Sequence, residues 1–233
     1  MRFAEPLQPA TLLRRRQRFF ADVRDAAGQE LTVLCANTGR MLGYSQPGMR
    51  IWLSPRPPGS RHAWRWELSE VAGALVCAHP HHAVNLVLEA VGEGRLAELE
   101  GYAGVRREVR YGREGSRVDL LLESPGRPPC FVEVKAVTAA DEFGLALFPD
   151  AVSTRAARHM RELAAMRAEG ARSVVVFVVQ RSDALALRTA SEIDPAYAAA
   201  FRTATSAGVE TLVLGMHVKR EGITFERRLA LLR

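Results

Sequence analysis

The sequence predicts two domains, a small N-terminal β-barrel over residues 1–80 and an α/β domain with a mixed sheet over 81–233. Three observations lead there. Short alternating runs divided by turn residues fill the first eighty positions. Beyond His79 helical patterns alternate with strand patterns, as α/β domains require. Within that half, Ser173 to Val179 holds the unbroken apolar run Val174 to Val179, the mark of a strand covered on both faces.

In the first half, Arg18 to Arg24 alternates so that Phe19, Ala21 and Val23 share a face, and Asp25 to Gly28 turns the chain into Leu31 to Cys35. Gly48 to Leu53 and Trp64 to Leu68 alternate likewise around a Pro- and Gly-rich turn, and Leu75 to Ala78 is a fifth short run. Five such strands suit an OB-like barrel or an SH3-like one, which the period alone does not separate.

In the second half, Ala83 to Val91 reads as a helix ended by Gly92-Glu93-Gly94. Val118 to Leu122 and Cys130 to Val134 form a hairpin. Ser153 to Glu169 is a helix with a hydroxyl cap at its start and Gly170 past its end. Asp194-Pro195 opens another helix, closed by Gly208. Val209 to Val218 and Ile223 to Leu229 are the last strands. A strand, a helix and a buried strand imply a right-handed crossover.

Composition narrows the class. Apolar residues make up 48% and charged ones 25%, values that exclude collagen-like and disordered chains. No run reaches the ~18 apolar residues of a membrane helix, and no secretory h-region follows Met1. Three widely spaced cysteines, Cys35, Cys77 and Cys130, suggest buried thiols in a reducing, cytoplasmic setting. Thirty-two Lys and Arg against 26 Asp and Glu leave +6, which favours polyanionic partners.

The most informative chemistry is Asp119, Glu133 and Lys135. Alternation puts Glu133 and Lys135 on one face of their strand, with Val132 and Val134 on the other. A turn centred near Gly126 sets Asp119 opposite Glu133, with Cβ atoms about 4.5–5.5 Å apart. Two acids so close repel unless a cation or a shifted pKa relieves them. Mg²⁺ or Mn²⁺ held by oxygen ligands would do so, with Lys135 aimed at a phosphate or an attacking water, a set of parts for metal-assisted phosphodiester hydrolysis. The competing reading is an ion-pair ladder in which Arg117, opposite Lys135, neutralises Glu133 without any metal.

Asp119 followed by Glu133-Val134-Lys135 resembles the core of the PD-(D/E)XK nuclease superfamily, with Val118 where a proline is common. More of the chain resembles the sugar fermentation stimulation protein family of bacteria and archaea. The matching stretches include Arg15 to Val23, Asn37 to Gly43, Tyr111-Gly112, Ser116 to Asp119, Val132 to Lys135, Phe148 to Val152, His159, Val179 to Asp183 and Ile193 to Pro195. The resemblance implies an OB-like domain joined to a restriction-endonuclease-like α/β domain, DNA as partner, and a link to regulation of sugar, particularly maltose, utilisation. One departure stands out: where relatives carry an Asn-Thr pair, this chain reads Cys77-Ala78-His79-Pro80-His81-His82.

Superfamily nucleases often recruit a further acid from the first helix, which makes Glu89 the candidate third metal ligand and Glu108 its competitor. Arg155, His159 and Glu162 share a face of the helix after the Glu-Val-Lys strand, where Arg155 and His159 could hold a phosphodiester. Gln180 ends the buried strand beside the same expected cleft. Arg14, Arg15, Arg16 and Arg18, close to Phe19 and Phe20, suit backbone tracking with base stacking, and Asn37, Thr38 and Arg40 sit in a turn suited to phosphate. For each of these the bland alternative is a solvated polar face or turn. Cys77, His79, His81 and His82 raise a zinc hypothesis that lacks a second ligand pair in sequence.

Two functions follow. One is a DNA-binding, divalent-metal-dependent nuclease; the other is a non-catalytic DNA-binding transcriptional regulator that keeps a nuclease fold as scaffold.

Overall fold

The computed structural model describes residues 1–232. The first domain comprises β1 (Gln8–Arg16), β2 (Phe20–Asp25), β3 (Glu30–Cys35), β4 (Arg50–Pro55), β5 (Trp64–Val71) and β6 (Ala74–Cys77). The second comprises α1 (His82–Gly92), β7 (Gly104–Tyr111), β8 (Ser116–Glu123), β9 (Cys130–Val137), β10 (Ala139–Ala140), β11 (Leu145–Phe148), α2 (Thr154–Ala168), β12 (Arg172–Val179), β13 (Ala186–Thr189), α3 (Pro195–Ser206), β14 (Glu210–Lys219), β15 (Gly222–Arg228) and β16 (Ala230–Leu232).

Strands β3-β2-β1-β4-β5 form a sheet that closes on itself, because β3 also pairs in parallel with β5 at Leu34–Arg65 and Cys35–Trp66. This is the five-stranded OB barrel, with β6 added beside β5. Inward alternation fills it with Leu12, Ala21, Val23, Val33, Ile51, Leu53 and Trp66. Two expectations need correction. A strand precedes those read from the pattern: β1 carries Ala10 and Leu12 inward, but a bulge between Leu12 and Arg14 breaks the period and the arginine run hides it. Phe19 does not share the barrel face of Ala21 and Val23. Gln17 and Arg18 have positive φ (49° and 64°), and the tight turn they make leaves Phe19 52% exposed.

The second domain is built on a six-stranded mixed sheet of order β15-β14-β12-β9-β8-β7, in which β9, β12 and β14 run parallel. Val174, Val176 and Val178 of β12 pack with Leu86, Val87 and Ala90 of α1 in one core. Val175, Phe177 and Val179 pack with α2 and α3 in the other. Both helices start at caps legible in the sequence: Ser153 Oγ accepts from Ala156 N at 3.1 Å, and Asp194 Oδ1 from Tyr197 N at 2.9 Å. A smaller sheet, β10-β11-β13-β16, completes the domain. Among the described residues no helix is long and apolar enough to cross a membrane.

The domains are joined by buried polar contacts. Tyr44, fully enclosed, hydrogen-bonds Thr138 Oγ1 at 2.9 Å and accepts from Asn37 Nδ2 at 2.9 Å. Cys77 N donates to Gln180 O at 2.9 Å. This joint fixes one wall of the cleft described next.

Candidate metal and nucleic-acid cleft

β8 and β9 pair at Leu120–Val132, Leu121–Phe131 and Leu122–Cys130, the register that a turn at Gly126 requires. The ladder stops there, and beyond it Asp119 Oδ2 accepts the backbone N–H of Val134 at 2.6 Å. Asp119, Glu133 and Lys135 line one cleft of about 590 Å³, whose opposite wall is the barrel loop at Thr38 and Gly39 with Arg18.

The two acids differ sharply. Burial, then the neighbouring Glu133 charge, pushes the Asp119 carboxyl up to about 7, against the pull of Val134 N–H and Lys135. Burial alone would push Glu133 up as well, but Lys135 and His159 outweigh it and hold Glu133 below its ordinary value. Lys135 Nζ donates to Glu133 Oε1 at 2.6 Å, and His159 Nδ1 hydrogen-bonds the same oxygen. Glu133 Oε2 is enclosed and has no hydrogen-bond partner among the described residues. A buried carboxylate oxygen left bare beside a second carboxylate fits a hard cation, so these residues fit Mg²⁺ or Mn²⁺.

Other sites read from the sequence are sorted differently by the structure. Glu89 does not join the acids: its helix packs on the opposite sheet face, and its exposed carboxylate pairs with the amino group of Met1. Glu108 is closer to the expected role. The β7–β8 register (Arg107–Leu120, Val109–Val118) sets it opposite Asp119, it has φ 53°, and it lines the cleft. Arg117 does not neutralise Glu133; it lies exposed across from Arg110.

His159 and Glu162 do not face outward. Both are buried, because α2 turns them against β9 and the β7–β8 turn, where Glu162 Oε1 accepts Glu114 N at 2.6 Å. His159, 2% exposed, is therefore Glu133's partner rather than a phosphate ligand, while Arg155 stays exposed on the cleft wall and donates to His159 Nε2 at 3.3 Å. Gln180 is fully buried, both its side-chain polar atoms are unpartnered among the described residues, and it does not line the cleft. Asn37 is buried too: its amide bonds Tyr44 and its Oδ1 accepts Gly39 N at 2.8 Å.

The arginine run divides by strand face. Arg14 and Arg16 pair with Asp22 at 2.7 and 2.9 Å. Arg15 holds the loop by donating to Gly39 O at 2.8 Å and to the carbonyl of Asn37. That leaves Arg18, Thr38 and Arg40 exposed, two of them on the cleft. The sequence reading missed Arg107 on the cleft and the exposed Arg110 beside it. Their strand, Gly104–Tyr111, is an edge strand exposed along most of its length, so no alternation marked it; the arginines at 106, 107 and 110 were the available signal.

Fold and cleft together define an OB barrel docked on an α/β domain whose central hairpin presents a carboxylate pair and a lysine to a basic-rimmed groove. The comparisons with known proteins agree with that two-domain fold. A family model for the N-terminal OB domain of SfsA matches residues 13–78, and one described as the sugar fermentation stimulation protein RE domain matches 81–222. The chain belongs to the sugar fermentation stimulation protein family. It is 50% identical to the homolog from Thioalkalivibrio sulfidiphilus over 228 residues, covering 97% of this chain and 96% of that one. It is 51% identical to the homolog from Halorhodospira halophila over 227 residues, covering 96% and 94%. A solved structure of Pyrococcus furiosus SfsA in complex with Ca²⁺ superposes with a TM-score of 0.89 at 29% identity, covering 100% of this chain and 98% of that one.

Proposed function

We propose that the protein binds DNA across this cleft and hydrolyses phosphodiesters with the help of Mg²⁺ or Mn²⁺ held by Asp119 and Glu133. One observation carries the reading: Glu133 Oε2 is buried and bare of partners among the described residues, and Glu133 shares one cleft with Asp119, whose carboxyl its charge pushes up. The PD-(D/E)XK pattern and a relative described with Ca²⁺ support it. A hard dication bound there supplies Lewis acidity to the phosphoryl group and lowers the pKa of water.

This chain's residues do the rest. Asp119 and Glu133 supply the anionic oxygens, and Glu108 stands across from Asp119 to extend the set. Lys135 sits on the cleft side of Glu133, where its ammonium can stabilise charge on a bound phosphate. Arg18, Arg107 and Arg155 line the same groove and suit the flanking phosphates, with Arg40, Arg110 and Arg117 exposed for longer duplexes. Phe19, largely exposed next to Arg18, offers a stacking face.

A second reading, a DNA-binding regulator without catalysis, is favoured by the Lys135–Glu133 ion pair, which neutralises the site internally. Incubation with supercoiled, linear and single-stranded DNA separates the two. The enzyme reading expects cleavage that needs Mg²⁺ or Mn²⁺, stops with chelator, and is lost in Asp119→Ala and Glu133→Ala. DNA binding without cleavage under every metal condition, unchanged in those variants, would establish the regulator instead.

A further inference from the structure

We propose that Glu67, His79 and His82 form a second metal site, of the Zn²⁺ class, where the barrel meets the first helix of the α/β domain. The sequence points to a histidine-rich segment, Cys77 to His82, of which the structure keeps only His79 and His82. Cys77 is fully buried, with Sγ accepting from His79 N at 3.4 Å, and His81 is exposed. The residue that completes the set is Glu67 of β5, which no spacing argument connects to the histidines. One ligand atom from each of Glu67, His79 and His82 lies within 4.8 Å of the other two.

The donor set is arranged for a cation. Glu67 is fully buried. Its Oε1 accepts from Arg65 Nε at 2.6 Å and from Ser54 Oγ at 2.7 Å, which fixes the carboxylate plane as outer-shell contacts do in metal sites. Its Oε2 faces His82 Nε2 at 2.8 Å. The His79 ring lies 4.2 Å from that of His82, centre to centre, and its Nδ1 is enclosed with no hydrogen-bond partner among the described residues. Tetrahedral ligands with bonds of ~2.1 Å stand about 3.4 Å apart, so an ion would part Glu67 Oε2 and His82 Nε2 from 2.8 Å, with the His79 donor within 4.8 Å of both.

The chemistry separates this site from the acid pair. Two imidazoles and one carboxylate suit Zn²⁺ and its neighbours, whereas an all-oxygen set suits Mg²⁺ or Mn²⁺. A pocket of about 170 Å³, bounded by Phe3, Glu5, Pro55 and Arg65, reaches Glu67 and His82 and leaves room for water as a fourth ligand. Bound metal would tie β5 to the segment that enters α1. The same contacts without metal would be an ion-pair network of Glu67, Arg65 and His82.

The test uses the full chain, stripped with chelator and titrated with Co²⁺ and then Zn²⁺ in excess Mg²⁺. The expected result is one Co²⁺ per chain, with the intense visible bands of a four-coordinate ion, displaced by Zn²⁺ and accompanied by a raised melting temperature. The signal should persist in Asp119→Asn and weaken by more than ~10-fold in His79→Ala. His79→Ala leaves the Glu67 network intact, so an unchanged far-UV circular dichroism spectrum and a single cooperative metal-free melt certify its fold. No stoichiometric Co²⁺ in the parent, a spectrum unchanged by His79→Ala, or a signal lost in Asp119→Asn would each overturn the proposal.

Discussion

The backbone N–H of Val134 donates to the side chain of Asp119 at 2.6 Å, at the point where β8 and β9 cease to pair. The strand edge is thereby satisfied by a carboxylate instead of a carbonyl. That contact holds Asp119 at the mouth of the cleft while Glu133 is drawn inward by Lys135 and His159. Two acids from one hairpin thus sit in unlike surroundings, and their proton affinities diverge.

That divergence gives a pH dependence. Asp119 is pushed up to about 7, above its unfolded value near 4, so the folded state holds its proton more tightly. Stability is then greatest below the unfolded value, declines as pH rises between about 4 and 7, and is level above that. Asp119→Asn should remove this decline and raise stability at pH 8 by roughly 2–4 kcal/mol, read by denaturant unfolding across pH. Mg²⁺ or Mn²⁺ binding should strengthen with pH up to about 7 and release protons below it, read by calorimetry in buffers of different ionisation heat.

His159 is expected to be structural for the site. His159→Ala leaves Glu133 Oε1 with only Lys135 and opens space in the core beside a buried charge. The expected loss is roughly 3 kcal/mol, smaller for His159→Gln, which can still donate. Thermal and urea unfolding measure both; an alanine variant as stable as the parent would contradict the buried pairing.

The arginine run should divide by function. Arg15→Ala removes the donors that fix the carbonyls of Asn37 and Gly39, with an expected loss of about 1–3 kcal/mol. Arg18→Ala should leave stability within ~0.5 kcal/mol, because its side chain makes no ion pair among the described residues. The same change should weaken DNA binding and lower the salt slope by about 1, as loss of one phosphate contact does. Equal effects of the two variants on unfolding would refute the division.

Much of this protein is written locally. Alternation gave the barrel strands from β2 onward, Ser153 and Asp194 marked the starts of α2 and α3, and the turn at Gly126 set the register that brings Asp119 and Glu133 to one cleft. Those features depend on residues within one element or one hairpin, where the period of 2 or 3.6 and the cap chemistry act directly. The barrel's first strand escaped because a bulge interrupts its period.

Tertiary packing decided the rest. It turned His159 inward onto Glu133 and sent Glu89 to the far face of the sheet. It also brought Glu67 of the barrel to His79 and His82 and set the joint through Tyr44 and Thr138. Each of these is a meeting between separate elements. A polar side chain on a helix or strand has the same local signature whether it meets solvent or a buried partner, and only the docking of layers determines which.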